Sequence, residues 1–220
     1  MKSYQNAAML QNLYRLKALG FDYCDPLIVN TGSVSGELPD DLGALREIIR
    51  HCHLCDLGKV RRQSMTGFGT PMARIMFVDA YVSLAEDESG TYFSGRSGAS
   101  LAAMITNVLA LEPGDVYLTH AVKCKASGTH KPSASECSSC KPYWRKEVEL
   151  VRPSILVTLG PDAYRLVTGD ETPFEQVRGH RIAYEKETVL VPLYHPQFLL
   201  RNPSLKKETF IDLQNIKAML

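Results

Sequence analysis

Apolar positions along the chain fall into two successive regimes. In residues 1–20, Met9, Leu10, Leu13, Leu16 and Ala18 recur near helical spacing and Gly20 supplies a stop, which predicts a helix. Residues 21–37 are rich in turn formers (DPL, NTGSVSG) and read as a connector. A second helix is predicted from Asp40 or Asp41 through Leu45, Ile48 and Ile49 to Cys52. Beyond Cys55, short β-branched runs alternate with helical stretches. The runs are RIMFV (74–78), DVYLTHAV (115–122), SILVTLG (154–160) and TVLVPLY (188–194), with helices around 98–111, 133–150, 161–168 and 204–219. Strands that read as continuous apolar runs between helices predict a parallel sheet covered on both faces. The expected fold is therefore α/β: a three-layer α/β/α domain over residues 41–220 with a central four-stranded, mainly parallel sheet. Residues 1–40 form a helical extension and connector before it.

An open sheet of this kind binds ligands beyond the carboxyl ends of its strands. Four segments fall there: Asp79–Ser83, Thr119–His120, Gly160 and His195–Pro196. Residues far apart in sequence are thus expected to share one crevice, though a crevice alone names no reaction.

Composition narrows the class. The 220 residues carry 25 basic and 24 acidic side chains, a net charge of +1, which gives no global reason to expect nucleic acid. No apolar run approaches the ~20 residues of a membrane helix. The first residues lack the apolar core of a signal peptide, so a cytoplasmic protein is expected. Local charge is more informative. Basic residues gather at Lys59, Arg61 and Arg62, at Lys123, Lys125 and Lys131, and at Arg201, Lys206 and Lys207. Such patches can serve phosphate contacts, or simply solvate the surface.

Six cysteines change the picture further: Cys24, Cys52, Cys55, Cys124, Cys137 and Cys140. In a reducing compartment disulfides are the lesser use of thiols. Cys52–Cys55 and Cys137–Cys140 are C-x-x-C pairs, which bring two thiolates near one point. Spacing alone leaves an iron–sulfur cluster and a structural zinc both open.

From about Arg46 onward the sequence resembles the iron–sulfur uracil-DNA glycosylases, often called family 4. The stretches that carry the resemblance are CHLC with Arg61 and Arg62 downstream, RIMFVDA, GTYFSGRSGASL, VYLTHAVKCKASGTHKPSASECSSCKPYW, ILVTLGPDA and YHPQFLLRNP. The resemblance implies a [4Fe–4S] cluster held by Cys52, Cys55, Cys124 and Cys140, with Cys137 and Cys24 as spares. It also implies a monomer acting on DNA that contains uracil or a related deaminated base. His195 occupies the place of the histidine that meets the departing base. Ala80, Phe93, His120 and Gly160 fall at positions of the base pocket. Arg62, Leu199, Leu200 and Arg201 fall where such proteins meet DNA, the leucines where a side chain wedges into the gap left by a flipped base.

Two features depart from the family pattern. Asp79, Ala80, Tyr81, Val82 and Ser83 stand where the family reads Gly-Glu-Ala-Pro-Gly, so Ala80 replaces the glutamate. Asp79 lies one residue early, a displacement expected to turn its side chain to the other face of the strand. His120 replaces an asparagine whose amide pairs a donor with an acceptor. Asp79 or Glu86 is the candidate replacement carboxylate. The alternative is a catalytically impaired iron–sulfur DNA-binding module; an iron–sulfur redox protein is a further rival.

Overall fold

The computed structural model describes Lys17 and residues 38–128, 130–185 and 187–220. The helix expected over residues 1–20, the connector and Cys24 lie outside the described residues, Lys17 apart. The unit described below begins at Leu38.

Helix α1 (Leu42–Arg50) starts where Asp41 caps it, its carboxylate accepting the Ala44 N–H at 2.7 Å. Leu42, Leu45 and Ile49 form its buried stripe. A short helix α2 (Leu57–Val60) follows the first cysteine pair, then an edge strand β1 (Phe68–Gly69) and the long strand β2 (Ile75–Tyr81). Helix α3 (Leu84–Ser89) opens on a reciprocal capping box between Ser83 and Glu86. Helix α4 (Gly95–Ala103) runs on as a π-helical segment, Met104–Leu109, into strand β3 (Tyr117–Val122). Helix α5 (Ala134–Val151), capped by Ser133 and Glu136, leads to strand β4 (Ile155–Leu159). The remaining elements are α6 (Gly160–Thr168), α7 (Phe174–Val177), β5 (Ile182–Ala183), β6 (Val189–Leu193), α8 (Pro196–Arg201) and α9 (Lys206–Lys217).

The strand order is β1-β3-β2-β4-β6-β5. The inner four strands are parallel, as their apolar runs predict, and β3 and β4 are buried at every position. Among the described residues the sheet has six strands rather than the expected four, because β1 and β5 add antiparallel at the two edges. Each has two residues, too few for any periodicity to announce it. One apolar layer, around Trp144, Tyr143 and Tyr164, packs α1, α5 and α6 on one face. The other, around Phe77, Ile105 and Leu213, packs α4 and α9 on the opposite face.

A buried polar knot braces the carboxyl end of β3. Glu147 on α5 accepts from Thr119 Oγ1 and from Lys123 Nζ, both at 2.5 Å, and from the Gly67 N–H at 3.1 Å. Lys123, expected among the basic surface residues, is 1% exposed and serves this interior pair instead.

Candidate active site

The carboxyl ends of β2, β4 and β6 open into a crevice of about 350 Å³. Strand β2 outlasts the predicted run and carries Asp79, Ala80 and Tyr81 to its rim. All three border the crevice. At a strand terminus the cavity wraps the end of the chain, so residues of both pleats face it, and the expectation that Asp79 turns away is not met.

Asp79 Oδ2 lies 2.8 Å from His195 Nε2. The imidazole is fixed from its other side, where Nδ1 accepts the Gln197 N–H at 3.1 Å as the cap of α8. With Nδ1 accepting, the neutral ring carries its proton on Nε2 and donates it toward the carboxylate. Asp79 Oδ1 accepts the Ala80 N–H at 2.6 Å. Burial pushes the Asp79 carboxyl upward, but the charge and hydrogen bond of His195, then His120 and the Ala80 N–H, outweigh it and hold it below the usual range. Burial pulls His195 down, whereas Asp79 first, then Glu86 and Asp162, carry it above its ordinary value.

Gly160 explains how His195 comes so close to the sheet. Its φ is +84°, and a Cβ there would stand 3.1 Å from the Cβ of His195. The residue at this turn must lack a side chain for the imidazole to lie across it.

A second carboxylate–imidazole pair flanks the first. His120 sits beside Asp79 on the adjacent strand, wholly buried, with Nε2 3.3 Å from Glu86 Oε1. That approach lacks hydrogen-bond alignment, and among the described residues both ring nitrogens are without a partner. Glu86 also accepts the Ser83 N–H at 2.8 Å. Burial raises its carboxyl, and His120 followed by Ser83 brings it below the ordinary value. The Tyr92 ring stacks on His120, centroids 4.9 Å apart and planes at 21°, and its hydroxyl donates to Thr66 O at 2.9 Å. Tyr92 and Glu86 border the crevice, and His120 lies behind them.

The cysteines meet elsewhere. Cys52, Cys55, Cys124 and Cys140 line one small cavity and Cys137 does not, so the two cysteines of the second C-x-x-C are separated. Arg61 Nη1 donates to Cys124 Sγ at 2.8 Å and Tyr143 OH to Cys52 Sγ at 3.3 Å. Burial pushes the Cys140 thiol up to about 11 and raises Cys124 despite Arg61. Among the described residues no three His, Cys, Asp or Glu side chains close around a point as ligands of a single ion. Four thiols around one cavity, with donors aimed at two of the sulfurs, are a donor set that suits a thiolate-bound metal or an iron–sulfur cluster.

The profile of the uracil DNA glycosylase superfamily matches residues 66–217. The chain belongs to that superfamily. A type-4 uracil-DNA glycosylase of Sulfurisphaera tokodaii is 33% identical over 187 residues, covering 82% of this chain and 85% of that protein. Those of Saccharolobus solfataricus and Archaeoglobus fulgidus are 30% and 31% identical, covering 82% and 80% of this chain and 87% and 90% of theirs.

Within this glycosylase framework several expected residues fall differently. Phe93 does not border the crevice; it packs edge-on against Phe68, centroids 5.9 Å apart, and Tyr92 takes the wall. The aromatic pair in TYFSG left that choice open to a one-residue shift. Leu199 is 2% exposed and joins the core, so it is no surface wedge. The segment is a short helix, and helical spacing turns Leu199 inward while Phe198 is 43% exposed. Leu200 and Arg201 line a side groove with Arg96 and Gln197 that adjoins the crevice. Arg62 is exposed, its guanidinium 3.5 Å from Glu88. Lys131, which borders the crevice, is held by Asp162 at 2.5 Å. No helix of the described residues is long and apolar enough to cross a membrane.

Proposed function

We propose that this chain is a DNA repair glycosylase that hydrolyses the N-glycosidic bond of uracil, or of a related deaminated base, in DNA. The observation that carries the reading is the Asp79–His195 pair at the floor of the crevice. The names of the type-4 relatives add to it.

Excision breaks the bond between C1′ and the base nitrogen, and the electron pair leaves with the base. Its negative charge gathers on the base oxygens, where a positioned donor stabilises it. His195 Nε2–H is that donor. Its proton turns from Asp79 to the incoming carbonyl, which leaves the Asp79 carboxylate free beside the sugar. There it steadies the positive charge developing at C1′ and takes a proton from the attacking water. Asp79 thereby replaces the glutamate whose place Ala80 occupies. Tyr92 offers its face to the flipped base, with His120 stacked behind it.

Cys52, Cys55, Cys124 and Cys140 hold a [4Fe–4S] cluster in this reading. The cluster is structural: four thiolates leave it no open position, and hydrolysis needs no electron. Arg61 and Tyr143 support the sulfurs of Cys124 and Cys52.

Ala80 favours a second reading, in which the chain binds DNA without cleaving the glycosidic bond. The two readings part on an oligonucleotide carrying one uracil. Product from wild type and little from Asp79→Asn supports hydrolysis. Binding without product, together with a large gain on Ala80→Glu, supports the impaired module.

A further inference from the structure

A second and larger groove, of about 900 Å³, runs beside the catalytic crevice. It lies along the outer edge of β3, between α1, strand β1 and the loop before α4, and Tyr92 is a wall of both cavities. We propose that this groove is a second nucleic-acid site, holding unpaired bases of the DNA strand that flank the nucleotide in the crevice. The inference rests on the DNA-directed reading given above.

Its lining is chemically one-sided. Arg46 and Arg50 project from α1, and none of the lining residues is acidic. Among the described residues Arg46 Nε is buried without a hydrogen-bond partner, and its guanidinium carbon lies 5.9 Å from the centre of the Tyr117 ring. Arg50 is exposed and, among the described residues, bridges to Glu47 on its own helix, a surface contact that solvent weakens and a phosphate can replace. Opposite them stands an aromatic group: Phe68, 44% exposed, is 5.9 Å from Phe93 and 6.2 Å from Tyr92 by ring centroids. One exposed ring and two arginines on the same groove are the two elements that single strands use, stacking for bases and cations for phosphates. Tyr92 borders both cavities, so they are close enough for one strand to reach from one to the other.

The backbone is shaped to leave the groove open. Gly69 has a φ of +115°, and a Cβ there would fall 1.8 Å from Val116 O, so this segment lies flat against the sheet. The same residue argues against a peptide pairing with the edge. Strand β1 is extended over only two residues, which leaves no ladder for an added strand.

The test is binding of a fluorescent oligothymidylate, which holds no uracil, across a salt series. Phe68→Ala is expected to weaken binding about tenfold, the loss of one stacked base. Arg50→Glu, on an exposed position that leaves folding intact, is expected to weaken it and to flatten its salt dependence. Photo-crosslinks should map to the segment around Phe68. Unchanged affinity in Arg50→Glu, or crosslinks confined to the segment around Arg201, would overturn the proposal. Uracil excision is measured in parallel. Wild-type excision with unaltered binding in both variants rejects the groove alone, whereas lost binding without any excision rejects the glycosylase reading alone.

Discussion

Asp79 and His195, 116 positions apart in sequence, meet at 2.8 Å across the carboxyl ends of β2 and β6. Each alters the other: the imidazole lowers the carboxyl, and the carboxylate raises the imidazole. His195, raised above 6.5, contributes stability that is fully present below that value and is lost as pH rises through its folded value. Asp79, lowered from 3.8, contributes stability present above that value and lost as pH falls through its folded value. In Asp79→Asn the main cause of the histidine's upward shift is gone. An NMR titration should place His195 above 6.5 in wild type and lower in the variant. Equal midpoints would show that the pair does not act on the imidazole.

The cysteine cavity predicts an unequal outcome for thiols that look alike in sequence. Protein purified without oxygen should be brown, with about four irons per chain. Cys52→Ser and Cys124→Ser should lose iron and stability, while Cys137→Ser keeps both. Iron analysis with thermal unfolding decides it; a colourless zinc protein would remove the cluster.

Glu147 neutralises Lys123 in the interior. Glu147→Gln leaves a buried ammonium without its counter-charge and should cost about 3–5 kcal/mol in denaturant unfolding. The double change Lys123→Met with Glu147→Leu, which removes both charges, should recover much of that loss.

The α8 leucines should separate cleanly. Leu199→Ala opens a hole in the core and should cost about 2–5 kcal/mol. Leu200→Ala and Phe198→Ala should leave stability nearly unchanged and weaken binding to duplex DNA carrying an abasic site. The reverse pattern in unfolding and binding would return Leu199 to the DNA surface.

The inner sheet was legible because fully buried parallel strands advertise themselves as apolar runs, and such strands direct their ends to a common crevice. Spacing alone offered Cys137–Cys140 as a pair; the set Cys52, Cys55, Cys124 and Cys140, which lines one cavity, came from the family resemblance. The edge strands were not legible, since a two-residue strand is made by its neighbour's register and not by its own pattern. Pocket-facing side chains were legible only to within a residue. Asp79, Phe93 and Leu199 each differ from expectation through local geometry: a strand end open on both faces, adjacent aromatics, and a short helix that turns Leu199 inward. The His120–Glu86 pair was missed as a pair, although both residues were noticed, because only the fold places α3 against β3.

Single-turnover excision on an oligonucleotide with one uracil tests the central claim most directly. Wild-type protein should convert that position to an alkali-labile abasic site, with His195→Ala slower by about 10²–10³-fold, the effect of losing one donor to a developing oxyanion. No product from the wild-type, cluster-loaded protein, or an equal rate from His195→Ala, would contradict the account.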